Sequence, residues 1–284
     1  MSNVLIKDRD RFTVDFPEIR VMLNGRDWGV IDSGGDGPVL VLIPGTLGRA
    51  DVFWNQIRAL AGRVRMIAIS YPDSGGVGDW ARDIVGLLDY LGIARATVLG
   101  SSLGGYVAQY FAAEYPLRIN KLIAANTLHS VIGLDQMKPY ALDLVAAPIE
   151  ELRAGFGVGL KAWAEGHPDQ ADLIELLLVE AGGRILEPEL RARLMALKVG
   201  PELPAVALDA SNIVTIEVDD DPLIPPAMRA AVRARLSPGV AYRFTSGGHF
   251  PYVARPADYS ALLEQIMGLT VNGPDWGKKA ERVL

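Results

Sequence analysis

The sequence predicts an α/β fold, with a mostly parallel central sheet flanked by helices and a helical cap insertion. Two observations predict it. Short Val- and Ile-rich runs alternate with helical-period segments early in the chain, and the strand signal disappears between Ser130 and Pro204 before resuming. Near-continuous apolar strands separated by helices indicate a parallel sheet covered on both faces.

Taken in order, Arg20–Leu23 and Trp28–Asp32 flank Asn24-Gly25-Arg26. Asn-Gly favours a tight hairpin, so a short antiparallel edge is expected there. Ser33-Gly34-Gly35-Asp36-Gly37-Pro38 reads as another turn. Val39–Ile43, Val64–Ser70, Ala96–Gly100 and Lys121–Ala125 are the buried strands, with helices at Asp51–Ala61, Asp79–Leu91 and Ser102–Tyr115. Helical patterns at Pro148–Leu160, Gln170–Glu180 and Pro188–Leu197 then follow without strands between them. Strands resume at Asn212–Val218 and Val240–Thr245, and an amphipathic helix covers Pro256–Leu269. The core is thus expected at 1–129 and 205–271 and the cap at 130–204. A polar tail at 272–284, carrying Lys278-Lys279, fits a disordered end. Open α/β sheets bind ligands at the carboxyl edge of their strands, so this cap would roof the site.

Composition narrows the function. The chain has 284 residues, half of them hydrophobic, with 34 acidic and 28 basic side chains and a net charge of −6. That suits a globular protein with a sizeable core and argues against nucleic-acid binding, which needs clustered Lys and Arg. The absence of cysteine excludes disulfides, thiolate metal sites and a cysteine nucleophile. No signal-peptide pattern and no apolar run of membrane-spanning length is present, so a cytoplasmic location is expected. No His/Asp/Glu cluster has metal-ligand spacing and no nucleotide-binding glycine pattern occurs, so neither metal nor cofactor is expected. The sequence carries no signal for oligomeric state.

Gly100-Ser101-Ser102-Leu103-Gly104 is weak as a five-residue pattern and strong in context. The strand run Ala96-Thr97-Val98-Leu99 precedes it, and the helical run Tyr106–Ala113 follows. Strand, sharp turn and helix is the setting of a nucleophile elbow, which makes Ser102 the candidate nucleophile. The turn brings backbone so close that positions two before and two after the serine must lack bulk. The helix starting after Ser102 points its N-terminus, with its partial positive charge, at the site. A serine hydroxyl needs a base, and the base an orienting acid. Of the three histidines, His167 reads as a surface residue of the cap. His129 could line a pocket, but a hydrogen-bonded loop histidine is the plainer reading. His249, in Ser246-Gly247-Gly248-His249-Phe250-Pro251, follows the last strand, as the order serine, acid, histidine requires. The acid is sought after Ile213–Val218, among Asp219, Asp220 and Asp221; most of these must be solvated, because three buried ionised carboxylates would be too costly. Backbone donors for an oxyanion are expected at Leu103 N–H and, in the loop Pro44-Gly45-Thr46-Leu47-Gly48, at Thr46 N–H. Trp54, Tyr71 and Tyr106 could line a pocket, but core packing is the commoner role for such aromatics.

These features resemble the α/β-hydrolase superfamily over nearly the whole chain, and more narrowly the maspardin branch. The stretches that carry the branch resemblance are Leu42-Ile43-Pro44-Gly45-Thr46 with Ala50-Asp51-Val52-Phe53, Ile67-Ala68-Ile69-Ser70-Tyr71-Pro72, Gly100–Gly105 and Gly247-Gly248-His249-Phe250-Pro251-Tyr252. The resemblance singles out Asp221, because Asp221-Pro222-Leu223-Ile224-Pro225 looks like the acid loop of many members; Asp219 is the alternative. Many relatives carry His-Gly where this chain has Pro44-Gly45. A serine in place of aspartate argues against members such as haloalkane dehalogenases and epoxide hydrolases. The implied function is a serine hydrolase acting on a carboxylic ester, thioester or lactone. The alternatives are a catalytically weak maspardin-like binding or adaptor protein and a C–C bond hydrolase on the same triad. In some maspardin-like proteins asparagine replaces the histidine; this chain retains His249. The apolar cap suits a small-molecule substrate with a hydrophobic acyl or ester group, although the same residues also serve helix packing.

Overall fold

The structure is a computed structural model that describes residues 3–284. Its strands are β1 (Ile19–Leu23), β2 (Arg26–Asp32), β3 (Val39–Ile43), β4 (Arg65–Ser70), β5 (Ala96–Ser101), β6 (Ile119–Ala125), β7 (Ile213–Val218), β8 (Val240–Phe244) and β9 (Glu281–Val283). They form one sheet in the order β1-β2-β4-β3-β5-β6-β7-β8-β9, antiparallel at β1/β2 and β2/β4 and parallel elsewhere. The helices are α1 (Val4–Asp15), α2 (Trp54–Leu60), α3 (Val77–Tyr90), α4 (Leu103–Glu114), α5 (Ile149–Gly166), α6 (Ala171–Val179), α7 (Glu187–Lys198), α8 (Pro226–Leu236), α9 (Pro251–Ala254) and α10 (Pro256–Ile266). Among the described residues, no helix is long and apolar enough to cross a membrane.

Side chains alternate across the strands, so each buried strand feeds two cores. Leu40, Leu42, Met66, Ala68 and Ile123 pack with Trp54 and Ile57 of α2 and Leu262 and Leu263 of α10. Val41, Ile43, Ile67, Ile69 and Leu122 face the other way, onto Trp80 and Ile84 of α3, Val107 and Phe111 of α4 and Val232 of α8. This two-sided burial explains why these strands read as continuous apolar runs. At the antiparallel edge, Leu23 pairs with Arg26 across Asn24 and Gly25, whose φ values of 49° and 80° are those of a tight two-residue turn. Buried Asp83 of α3 ties this hairpin down by accepting from Asn24 Nδ2 (2.7 Å), Arg26 Nε (2.6 Å) and Trp28 Nε1 (3.0 Å).

Four segments differ from the pattern reading. Helices α1 and α8 lie where no element was assigned; only Arg9 and Phe12 of α1, and Val232 and Leu236 of α8, are buried, which leaves too few apolar positions to reveal a period. The helix expected at Pro256–Leu269 is preceded by the separate turn α9, with non-helical Arg255 between them. The tail is not a loose end. Trp276 is 4% exposed and packs edge-on against Phe244 (4.6 Å between centroids) and Tyr242 (5.4 Å), and β9 extends the sheet beside β8. Its polar composition concealed this single aromatic anchor.

Candidate active site

Ser102 stands between β5 and α4 with φ 56° and ψ −120°, a strained left-handed conformation for a residue with a side chain. The glycines around it are matters of space. A Cβ at Gly100 would lie 1.9 Å from Gly104 O, and one at Gly104 would lie 2.1 Å from Ile43 O. The start of α4 therefore rests directly on the end of β3. Leu103 is the first residue of α4, so its N–H has no acceptor within the helix. The Pro44–Gly48 loop approaches from the other side, where a Cβ on Gly45 would stand 3.0 Å from Ser102 Cβ and 3.7 Å from its Oγ.

His249, 6% exposed, donates from Nδ1 to Asp221 Oδ2 (2.8 Å) and Oδ1 (3.0 Å). A carboxylate only accepts, so Nδ1 carries the proton, and in the neutral imidazole Nε2 is the nitrogen with the free lone pair. Asp221 also receives Leu223 N–H (2.8 Å), Ile224 N–H (3.1 Å) and Asn126 Nδ2 (2.9 Å). Burial alone would raise its pKa, but the charge and hydrogen bond of His249, with Asn126 and the Leu223 amide, hold it below the ordinary carboxylate value. The three adjacent aspartates divide their work. Asp219 pairs with Arg243 (2.7 and 2.9 Å), and Asp220 accepts from the amides of Gly247 (3.2 Å) and Gly248 (2.8 Å). Asp220 is thus an anchor of the loop that presents His249 rather than a merely solvated charge.

Ser102, His249, Thr46 and Leu47 line one cavity of about 420 Å³. Phe156, Leu160 and Trp163 of α5 and Leu173, Ile174 and Leu177 of α6 form much of its apolar wall. Lys138 also lines the cavity and is exposed. His129 is not among the lining residues, and its Nδ1 makes no hydrogen bond among the described residues. His167 stacks on Trp163 at 3.6 Å and hydrogen-bonds through Nδ1 to Trp163 O at 3.1 Å. Trp54, Tyr71 and Tyr106 are fully buried and lie in the core rather than on the cavity wall. Asn126 is the functional neighbour that the pattern reading missed. It follows β6 with φ 44°, a conformation asparagine tolerates better than most residues, and nothing local links it to a residue 95 positions away. Among the described residues, no group of three or more His, Asp or Glu side chains is placed to hold a metal ion.

Comparison with known proteins agrees with this architecture. Residues 40–262 match the Alpha/beta hydrolase family. Human maspardin is 28% identical over 265 residues, an alignment spanning 87% of this chain and 80% of maspardin. A hydrolase from Pseudomonas aeruginosa superposes with a TM-score of 0.73 at 21% identity, covering 89% of this chain and 98% of that one. A thermophilic esterase from Thermogutta terrifontis superposes at 0.72 with 19% identity, covering 87% and 97%. At these identities the two superpositions speak for the fold alone. With the match covering most of its length, the chain belongs to the alpha/beta hydrolase family, and its sequence is similar to that of maspardin.

Proposed function

We propose that this protein is a serine hydrolase that cleaves a carboxylic ester, thioester or lactone bearing a hydrophobic acyl group, with residues 130–204 as a cap over the site. The observation that carries the reading is the His249–Asp221 pair, buried beside the apolar cavity that Ser102 lines. Ser102 Oγ attacks the carbonyl carbon while its proton passes to His249 Nε2. The N–H groups of Thr46 and Leu103 hold the resulting oxyanion. Collapse breaks the bond to the alcohol or thiol, which leaves with the proton from His249. Water then attacks the acyl-enzyme with His249 again as base, releasing the acid and restoring Ser102.

The test is labelling by a serine-directed fluorophosphonate, followed by turnover of p-nitrophenyl esters of increasing chain length. Wild type is expected to label and turn over, and Ser102→Ala to lose labelling and at least about a thousand-fold in rate. Folded wild-type protein that neither labels nor turns over any ester would refute the hydrolase reading. Similarity to maspardin supports the second reading, a catalytically weak binding or adaptor protein; in that case the cavity takes up ligand while wild type and S102A behave alike.

A further inference from the structure

Arg193 of α7 does not line the cavity, yet it fastens the loop that faces Ser102. It is completely buried, and its Nη1 donates to the carbonyl oxygens of Thr46 (2.9 Å) and Gly48 (2.8 Å). Its Nη2 reaches Glu189 Oε2 at 3.4 Å, and the guanidinium lies 5.2 Å from the centroid of the Tyr71 ring. Two further carbonyls of the turn are also taken. Tyr71 Oη donates to Pro44 O at 2.8 Å, and Gly48 N–H donates to Gly45 O at 3.0 Å. Immediately after the loop, Arg49 pairs with Glu18 (3.0 Å) and with the same Glu189 (2.9 Å).

Carbonyl bonding fixes where the amides point. In a trans peptide the C=O and N–H are directed oppositely, so holding Gly45 O turns Thr46 N–H away from it, and holding Thr46 O does the same for Leu47 N–H. Both residues line the cavity, and among the described residues neither amide donates to a protein acceptor. A buried guanidinium is costly unless its donors are used, and Arg193 Nε has no partner. Burial pulls its pKa down to about 10, which leaves it charged at neutral pH. That cost falls on the one loop whose amide directions matter to acyl transfer, and stabilising an oxyanion depends on donors aimed before the reaction begins.

We propose that Arg193 is a positioning residue: from α7 it holds the 44–48 loop so that its amides face Ser102, and it thereby sets the rate of acyl transfer without touching substrate. This rests on the hydrolase reading above. Both carbonyls are held by the two N–H groups of Nη1, whose directions the guanidinium plane fixes; the lysine ammonium ends one bond shorter and lacks that fixed plane, so lysine is a poor substitute.

The test is steady-state kinetics of the full chain on a p-nitrophenyl ester, comparing wild type, Ser102→Ala, Arg193→Met and Arg193→Lys. Folded R193M is expected to lose roughly 10- to 100-fold in kcat with KM within about 2-fold of wild type. Its preference for an oxoester over the matching thionoester should also shrink, because sulfur is the poorer acceptor; general loosening of the fold would not move that ratio. Wild-type kcat in folded R193M overturns the proposal. Should R193M fail to fold, R193K decides: a loss of about 5-fold or more in kcat at unchanged KM supports the two-carbonyl role, and wild-type kcat overturns it. Absence of Ser102-dependent turnover in wild type would instead bring down the hydrolase reading, and this role with it.

Discussion

His249 is oriented by a carboxylate that is itself held from several directions. Asp221 accepts from the imidazole, from two backbone amides and from Asn126, and this surplus of donors keeps it ionised in a buried place. Asp221→Asn should leave the backbone in place but remove the acceptor that selects the Nδ1–H tautomer, lowering kcat by about 10³- to 10⁴-fold. It also has a signature in stability. The Asp221 pKa is lowered on folding, so its contribution is fully present above the ordinary value of 3.8 and is lost as pH falls through the folded value. The gap in urea midpoint between wild type and D221N should therefore be widest near neutrality and close in acid; a gap independent of pH would contradict this assignment. The residues narrowed the acid only to Asp219, Asp220 and Asp221, and the family resemblance singled out Asp221. Ser102 and His249 were legible as candidates, one from a glycine-flanked serine between strand and helix, the other from its place in a loop after the last strand. Asn126 was not, since it meets Asp221 only because β6 and β7 are parallel neighbours ending side by side.

At the scale of elements, the site depends on β3 and α4 meeting at backbone distance. In Gly104→Ala the new methyl would lie 2.1 Å from Ile43 O, so the helix must retreat from the strand that leads into the Pro44–Gly48 loop. A loss of about 1–3 kcal/mol in unfolding free energy is expected by chemical denaturation, together with a fall in any Ser102-dependent rate. The wall contributed by α5 and α6 makes a separate claim. Each methylene buried there is worth about 0.8 kcal/mol, or roughly 4-fold in kcat/KM per added carbon until the cavity is full. Leu173→Trp should lower kcat/KM for long-chain esters while sparing acetate, and equal loss across the series would show that the chain does not lie along this wall. The helical periods of α5, α6 and α7 were readable, and α5 runs past its pattern to Gly166, through a last turn and a half that carries only one large apolar residue, Trp163. That their apolar faces meet around a cavity beside Ser102, rather than packing shut, was not readable, since either outcome uses the same residues.

Over the whole molecule, both ends of the described chain bear on the fold. In α1, Arg9 reaches buried Glu180 just beyond α6 at 2.5 Å, and Asp8 accepts from Trp54 Nε1 (2.9 Å) and Arg58 Nη1 (2.6 Å) of α2. One helix thereby ties the 130–204 segment to the sheet. At the other end Trp276 closes the β8 side, so Trp276→Ala should cost about 3–5 kcal/mol in thermal or urea unfolding, and a cost below about 1 kcal/mol would mean that the tail is not part of the folded unit. The sequence by itself determined the order of β1 to β8 along the chain, the hairpin and the strand–turn–helix around Ser102, because each depends on contacts within a few residues and on the periodicity of apolar side chains. It marked His249 and the three adjacent aspartates as candidates by their order after the last two of those strands. Only the tertiary structure decided the rest: Asn126 behind Asp221, Arg193 behind the Pro44–Gly48 loop, the separate duties of the three aspartates, and the anchoring of both ends. These are single polar or aromatic contacts between distant segments. They carry no local period, and the packed sheet alone brings their partners together.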